Sequence, residues 1–191
     1  MQPAALPRPL GRFVADVDAL VGAEDDEARF LPEIGLAMGR LIGRDDWLDP
    51  AFAQPHPVHY RQYLLYADPA DRYSVVSFVW GPGQHTPIHD HTVWGVIGVL
   101  RGAELTQTFD LDADGRPVAA GDAVRQLPGS VEFVSPRIGD IHQVSNALAD
   151  SVSISIHAYG ANIGKVRRHV FSQEGGAPKV FVSGYSNDDV S

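Results

Sequence analysis

An all-β core behind an N-terminal helical cap is the fold this sequence predicts, and three features predict it. Apolar residues recur at the helical period only in about the first fifty of 191 residues, and from His59 onward the period becomes two. Gly, at 19, and Pro, at 14, exceed ordinary usage and gather between the alternating runs. No helical stripe separates one alternating run from the next, so the strands belong to a closed or sandwiched antiparallel architecture rather than to strand–helix–strand units.

In the cap, Phe13, Val14, Val17, Leu20 and Val21 form one apolar stripe, and Phe30, Ile34, Ala37, Met38, Leu41 and Ile42 form a second. Pro32 is expected in the first turn of the second helix, where proline is tolerated. The acidic run 24–27 is expected as a solvated linker, and 45–50 as a short turn that Pro50 stops. Residues 1–55 form this cap and 56–191 the barrel, together one structural domain. Strands are expected at 59–66, 73–80, 93–100, 103–111, 118–127, 131–135, 141–144, 151–159 and 165–172, with turn residues such as Gly81-Pro82-Gly83 and Pro128-Gly129 between them. The polar tail after Phe181 is expected to fray.

Composition removes whole classes of function. Fifteen basic residues against 24 acidic ones give a net charge of −9, which argues against a nucleic-acid binder and against a polybasic membrane-surface protein. Without cysteine there is no disulfide framework, thiol nucleophile, iron–sulfur cluster or thiolate zinc site. The longest apolar run, 93–100, is too short to cross a bilayer, and the opening stretch with Pro3, Pro7 and Pro9 lacks a signal-peptide core. A cytoplasmic location is expected.

Chemistry concentrates in the histidines. Of eight, His89 and His91 flank Asp90 at the mouth of the run 93–100, and a spacing of two puts both imidazoles on one face of extended chain. His142 lies in a second Gly- and Pro-punctuated block, Gly129-x6-Pro136-x2-Gly139-x2-His142-x3-Asn146. In the run 151–159, Val152, Ile154, Ile156 and Ala158 face one way and Ser153, Ser155, His157 and Tyr159 the other. That polar row fits the wet face of an edge strand. Taken alone that is the favoured reading, but in a barrel where His89, His91 and His142 enclose a metal the same row can line the interior as a hydroxyl–imidazole–phenol relay. His56, His59 and His85 are expected at the surface, His169 beside Arg168, and Trp94 in barrel packing.

The two blocks, Gly83-x5-His89-x-His91-x3-Gly95-x6-Gly102 and the one holding His142, resemble the paired motifs of the cupin superfamily, small jelly-roll-like β-barrels with a metal inside. The resemblance carries over His89, His91 and His142 as ligands. Where cupins ordinarily place a glutamate, this chain has Gly95. Three neutral imidazoles leave a divalent ion its full charge and open positions, which favours an anionic ligand from substrate; imidazole alone does not choose among iron, zinc, copper and nickel.

Together with Ser155, His157 and Tyr159, these residues are similar to the cysteine dioxygenase family of thiol dioxygenases, most of all to its bacterial 3-mercaptopropionate members. The likeness runs from about Tyr60 to Tyr185 and is densest over 86–102. It implies a non-haem ferrous centre, Fe(2+), that adds both atoms of O2 to a thiol and yields a sulfinate. It also implies substrate roles for Gln62, where cysteine-specific members carry arginine, and for Arg168, whose fork suits a carboxylate. Arg167 alternates to the other strand face as a solvated charge. The cysteine–tyrosine crosslink of some members is impossible here, since Gly95 stands at about that position and Tyr159 must act as a free phenol. Cysteine and mercaptosuccinate remain alternative substrates. A zinc hydrolase or isomerase with Tyr159 as general acid, and a non-catalytic ligand-binding cupin, are the alternatives from other classes.

Overall fold

The computed structural model describes residues 6–24 and 26–187. Helix α1 (Arg8–Ala23) and helix α2 (Glu27–Ile42) pair through the predicted stripes, with Leu10, Phe13 and Val17 buried on one and Phe30, Ile34, Met38, Leu41 and Ile42 on the other. Two local expectations are corrected. Asp26 caps α2 by accepting from the Ala28 amide at 3.2 Å, so the described part of the acidic run starts the helix instead of linking two, and Pro32 falls in the second turn. Pro50 does not stop a turn but opens a 3-10 turn (Pro50–Ala53), because Asp49 accepts from the Ala51 amide at 2.9 Å ahead of it. Met1 to Ala5, the first part of the stretch read as lacking a signal core, lie outside the described residues.

Among the described residues twelve strands follow: β1 (Arg61–Ala67), β2 (Ser74–Trp80), β3 (Ile88–His89), β4 (Gly95–Arg101), β5 (Glu104–Leu111), β6 (Pro117–Ala119), β7 (Val124–Gln126), β8 (Val131–Val134), β9 (His142–Asn146), β10 (Ser153–Tyr159), β11 (Arg168–Phe171) and β12 (Lys179–Phe181). They form two antiparallel sheets, one ordered β1-β2-β10-β4-β8 and the other β12-β11-β3-β9-β5-β6 with β7 also on β5. The first sheet is covered on its outer face by the two helices, which bury Tyr63, Tyr73, Val75, Val79, Val96, Leu100, Ile154, Ile156 and Ala158. Gly98 permits this docking: a Cβ there would meet Met38 Cγ at 2.8 Å and Ile42 Cδ1 at 2.9 Å. Its inner face looks across the barrel with Val76, Phe78, Trp80 and Tyr159. The architecture is the cupin-type, jelly-roll-like barrel with a helical cap that the strand spacing and motifs anticipate.

The departures are instructive. The run 118–127 divides into β6 and β7 because Gly121, at φ +85°, turns the chain between them. The run 165–172 starts with a 3-10 turn (Ile163–Lys165), and its strand begins only at Arg168. His89 and His91 do not sit at the mouth of β4: His89 belongs to β3, in the other sheet, and the chain crosses between sheets past Thr92, which adopts φ 61°. β10 lies between β2 and β4 with all seven residues buried, so its polar row is not an edge. The tail does not fray as far as Asn187. The Ser186 amide donates to Gln62 O at 2.8 Å, Asn187 accepts from the Leu64 amide at 2.7 Å, and Tyr185 packs on Gly164. Residues 188–191 of that tail lie outside the described residues.

Candidate metal centre and substrate cavity

Backbone pairing brings the three histidines together. His89 and His142 are register partners across β3 and β9, and His91 follows two residues on, so the ring centroids stand 4.8 Å (His89–His91), 4.9 Å (His89–His142) and 4.8 Å (His91–His142) apart. All three are buried, and one ligand atom from each lies within 4.8 Å of the others. The tautomers are prepared. His89 Nδ1 donates to Pro87 O at 3.0 Å, and His91 Nδ1 donates to Asp140 Oδ1 at 3.0 Å, leaving Nε2 of each ring as its ligand atom. His91 Nε2 and His142 Nδ1 are buried without a hydrogen-bond partner, as expected of donors whose partner is an ion. Burial first, and then the neighbouring imidazoles, hold His89 and His142 well below the ordinary histidine range, in the neutral form a metal requires. The donor set therefore fits a divalent ion such as iron.

Gly95 confirms that no carboxylate enters from the place where cupins often supply one. A Cβ there would approach Val134 Cγ2 at 2.7 Å and the Tyr159 ring at 2.9 Å.

Across the barrel stands the row on β10. Ser155 Oγ lies 2.7 Å from His157 Nε2, and His157 Nδ1 lies 2.8 Å from Tyr159 Oη. The Tyr159 ring stacks on His91 with centroids 5.3 Å apart, which puts it against one of the three histidines. Burial pushes the Tyr159 phenol well above its usual range, with Arg168 opposing, so it is a neutral donor. Burial and the imidazoles of His91 and His89 keep His157 neutral.

The remaining expected residues line a cavity of about 210 Å³ with Tyr60, Gln62, Phe78, His89, Arg168 and Phe181 on its walls. Arg168, the first residue of β11, is buried, and Arg167, just ahead of the strand, is exposed. Arg168 Nη2 donates to Ser183 Oγ at 2.7 Å, and the guanidinium lies 4.7 Å over the Phe181 ring, while Nε has no partner. Gln62 Nε2 donates to the same Ser183 hydroxyl at 3.3 Å and to Gly184 O at 3.2 Å. Thus the tail ties the two residues together.

Several contributors escaped the sequence reading. Asp140 holds His91 and also accepts from the Thr92 amide at 2.8 Å; its only signal is its place two residues before His142. Asp90 accepts from the His169 amide and from His169 Nδ1, both at 2.7 Å, fastening β11 beside β3. Ser183 carried no signal at all. His85 and His59 are exposed, His56 stacks on His59 with centroids 3.9 Å apart, and Trp94 packs edge-on against Phe30 at 5.6 Å, all without a role at the site.

Comparison with known proteins adds the family. Among solved structures the chain is similar to a double-stranded β-helix protein of Klebsiella pneumoniae (16 % identity, 59 % of this chain and 82 % of that one, TM-score 0.48). It is also similar to a Thermus thermophilus protein (17 %, 62 % and 95 %, TM-score 0.46) and to a cupin-like protein of Thermotoga maritima (19 %, 65 % and 77 %, TM-score 0.43). The sequence model of cysteine dioxygenase type I matches residues 46–173, a span holding the three histidines, the β10 row, Gln62 and Arg168. With well over half its length matched, this chain belongs to the cysteine dioxygenase type I family.

Proposed function

We propose that the protein is a dioxygenase of small carboxylate thiols, 3-mercaptopropionate foremost, working with ferrous iron held by His89, His91 and His142. The observation that carries this reading is one cavity with a metal-ligating imidazole, His89, on its wall and a buried guanidinium, Arg168, with an unused Nε also on its wall. At about 210 Å³ the space is below the roughly 300–1,000 Å³ of pockets for drug-sized ligands, which suits a short thiol acid. The balanced reaction is thiol plus O2 to sulfinic acid, with both oxygens bonded to sulfur.

Iron, when bound, would bring thiolate and O2 together and relieve the spin mismatch that keeps them apart in solution. The chain does the rest. Arg168 holds the carboxylate through charge-assisted hydrogen bonds, and Gln62, fixed by Ser183 and Gly184, borders the same space without adding charge. Phe78, Phe181 and Tyr60 exclude water, which strengthens those bonds. Tyr159 holds a proton at Oη beside the histidines and is oriented by His157 and Ser155.

The test is oxygen uptake by the iron-loaded protein across 3-mercaptopropionate, cysteine, mercaptosuccinate and cysteamine, with sulfinate identified by mass spectrometry and metal content measured. One O2 per thiol, fastest with the acids, is expected. No uptake with any of the four, from protein shown to contain iron, overturns the reading.

A further inference from the structure

Glu104 opens β5 inside the barrel with 1 % exposure, and no ion pair involves it among the described residues. Its partners are neutral. The Ser153 hydroxyl donates to Oε1 at 3.1 Å, and Ser155, two residues on along the same face of β10, is the next hydroxyl beside the carboxyl. Trp80 Nε1 in turn donates to Ser155 Oγ at 3.3 Å. The charged or titratable groups around it are Glu132 on β8, which accepts from Thr106 Oγ1 at 3.0 Å, and His157 on β10, one hydroxyl away. Its register partners, Asn146 on β9 and Gln126 on β7, carry no charge.

We propose that Glu104 terminates the Ser155–His157–Tyr159 relay as a positioning residue and fixes the direction in which its hydrogen bonds run. Donor and acceptor counting gives the reason. A protonated Glu104 donates to Ser155 Oγ, whose second lone pair takes the Trp80 N–H; the Ser155 proton must then go to His157 Nε2. His157 consequently carries its hydrogen on Nδ1 and donates to Tyr159 Oη, leaving the phenolic proton free for the metal cavity. An ionised Glu104 inverts every link: Ser155 donates to the carboxylate, His157 donates from Nε2, and Tyr159 spends its proton on Nδ1. Burial, with Glu132 as a like-charged neighbour, pushes Glu104 up to about 8, so the outward direction holds at neutral pH and is lost above it. The catalytic value of that direction rests on the proposed role of Tyr159 as proton donor; the direction itself does not.

The test reads the His157 tautomer first. In the full chain loaded with diamagnetic zinc, the ¹⁵N resonances of His157, assigned by their loss in His157→Asn, should show an Nδ1–H ring at pH 6.5 that converts to Nε2–H as the pH passes about 8. Glu104→Gln, whose amide N–H imitates the protonated acid, should stay Nδ1–H throughout. With iron and 3-mercaptopropionate, Glu104→Ala should lower kcat by about tenfold, and Glu104→Gln should recover most of that loss while lacking the wild-type decline above pH 8. In a Tyr159→Phe background the Glu104→Ala change should move kcat by less than about twofold, since the two act through one chain. A tautomer indifferent to pH, or an unchanged alkaline decline in Glu104→Gln, overturns the proposal. A switching tautomer in a protein that oxidises no thiol upholds it and overturns the dioxygenase reading instead.

Discussion

A guanidinium buried in the barrel interior has no ion pair among the described residues. Among the described residues Arg168 contacts one hydroxyl and one aromatic face and has no carboxylate within ion-pair distance, Asp90 acting on it only from farther off, although removing such an ion from water costs several kcal/mol. Under the proposed function, a substrate anion would supply what is missing. Arg168→Ala should therefore raise KM for 3-mercaptopropionate by about 30-fold, or about 2 kcal/mol, and leave KM for cysteamine nearly unchanged. Arg168→Met, which fills the space without the charge, should hold or raise the melting temperature of the substrate-free protein. Equal KM effects on both thiols would show the arginine to be structural. The β10 row was legible because period-two alternation sorts a strand into faces, and the three histidines because they stand at fixed spacings in two Gly- and Pro-punctuated blocks. Asp140, Ser183 and Glu104 were not, since single acids and serines form no pattern. Their meaning lies in partners such as His91, 49 residues from Asp140, and Gln62, 121 residues from Ser183.

Strands and turns show the same division. Long strands with an apolar face, β2, β4 and β10, match their expected positions closely. The two-residue β3 and three-residue β12 are defined by the chain beside them rather than by a pattern of their own. The segment from Phe181 to Asn187 read as a loose tail because it is polar, yet its order comes from hydrogen bonds to β1 and the 3-10 turn at 163–165. Tyr185 is its anchor: the phenol accepts from the Gly164 amide at 2.9 Å and donates to Asn162. Tyr185→Ala should loosen this strap and with it Ser183, the shared tether of Gln62 and Arg168. A KM increase for carboxylate thiols larger than the change in kcat, together with faster amide exchange over 182–187, is the expected result. A strap that stays protected while KM rises would separate Tyr185 from the tether.

The two sheets divide the candidate site, with the three clustered histidines at the one holding β3 and β9 and the Ser155–His157–Tyr159 row on the one holding β10. An ion bound by His89, His91 and His142 clamps β3, the crossover past Thr92 and β9 to one another, and none of those distances survives unfolding. Binding free energy therefore becomes stability. At a hundredfold excess of metal over its dissociation constant the gain is about 2.7 kcal/mol, which for a chain of this length is a rise of about 5–11 °C in melting temperature. Chelator-treated protein titrated with ferrous iron under anaerobic conditions, or with zinc, should show that rise and its dependence on metal concentration. His142→Ala should abolish the dependence, and Tyr159→Phe should leave it intact, because the phenol touches the cluster without serving as a ligand. A melting temperature that ignores metal, or one that still follows it without His142, would mean that the cluster does not hold a single ion between these strands, and the site would have to be sought elsewhere in the barrel.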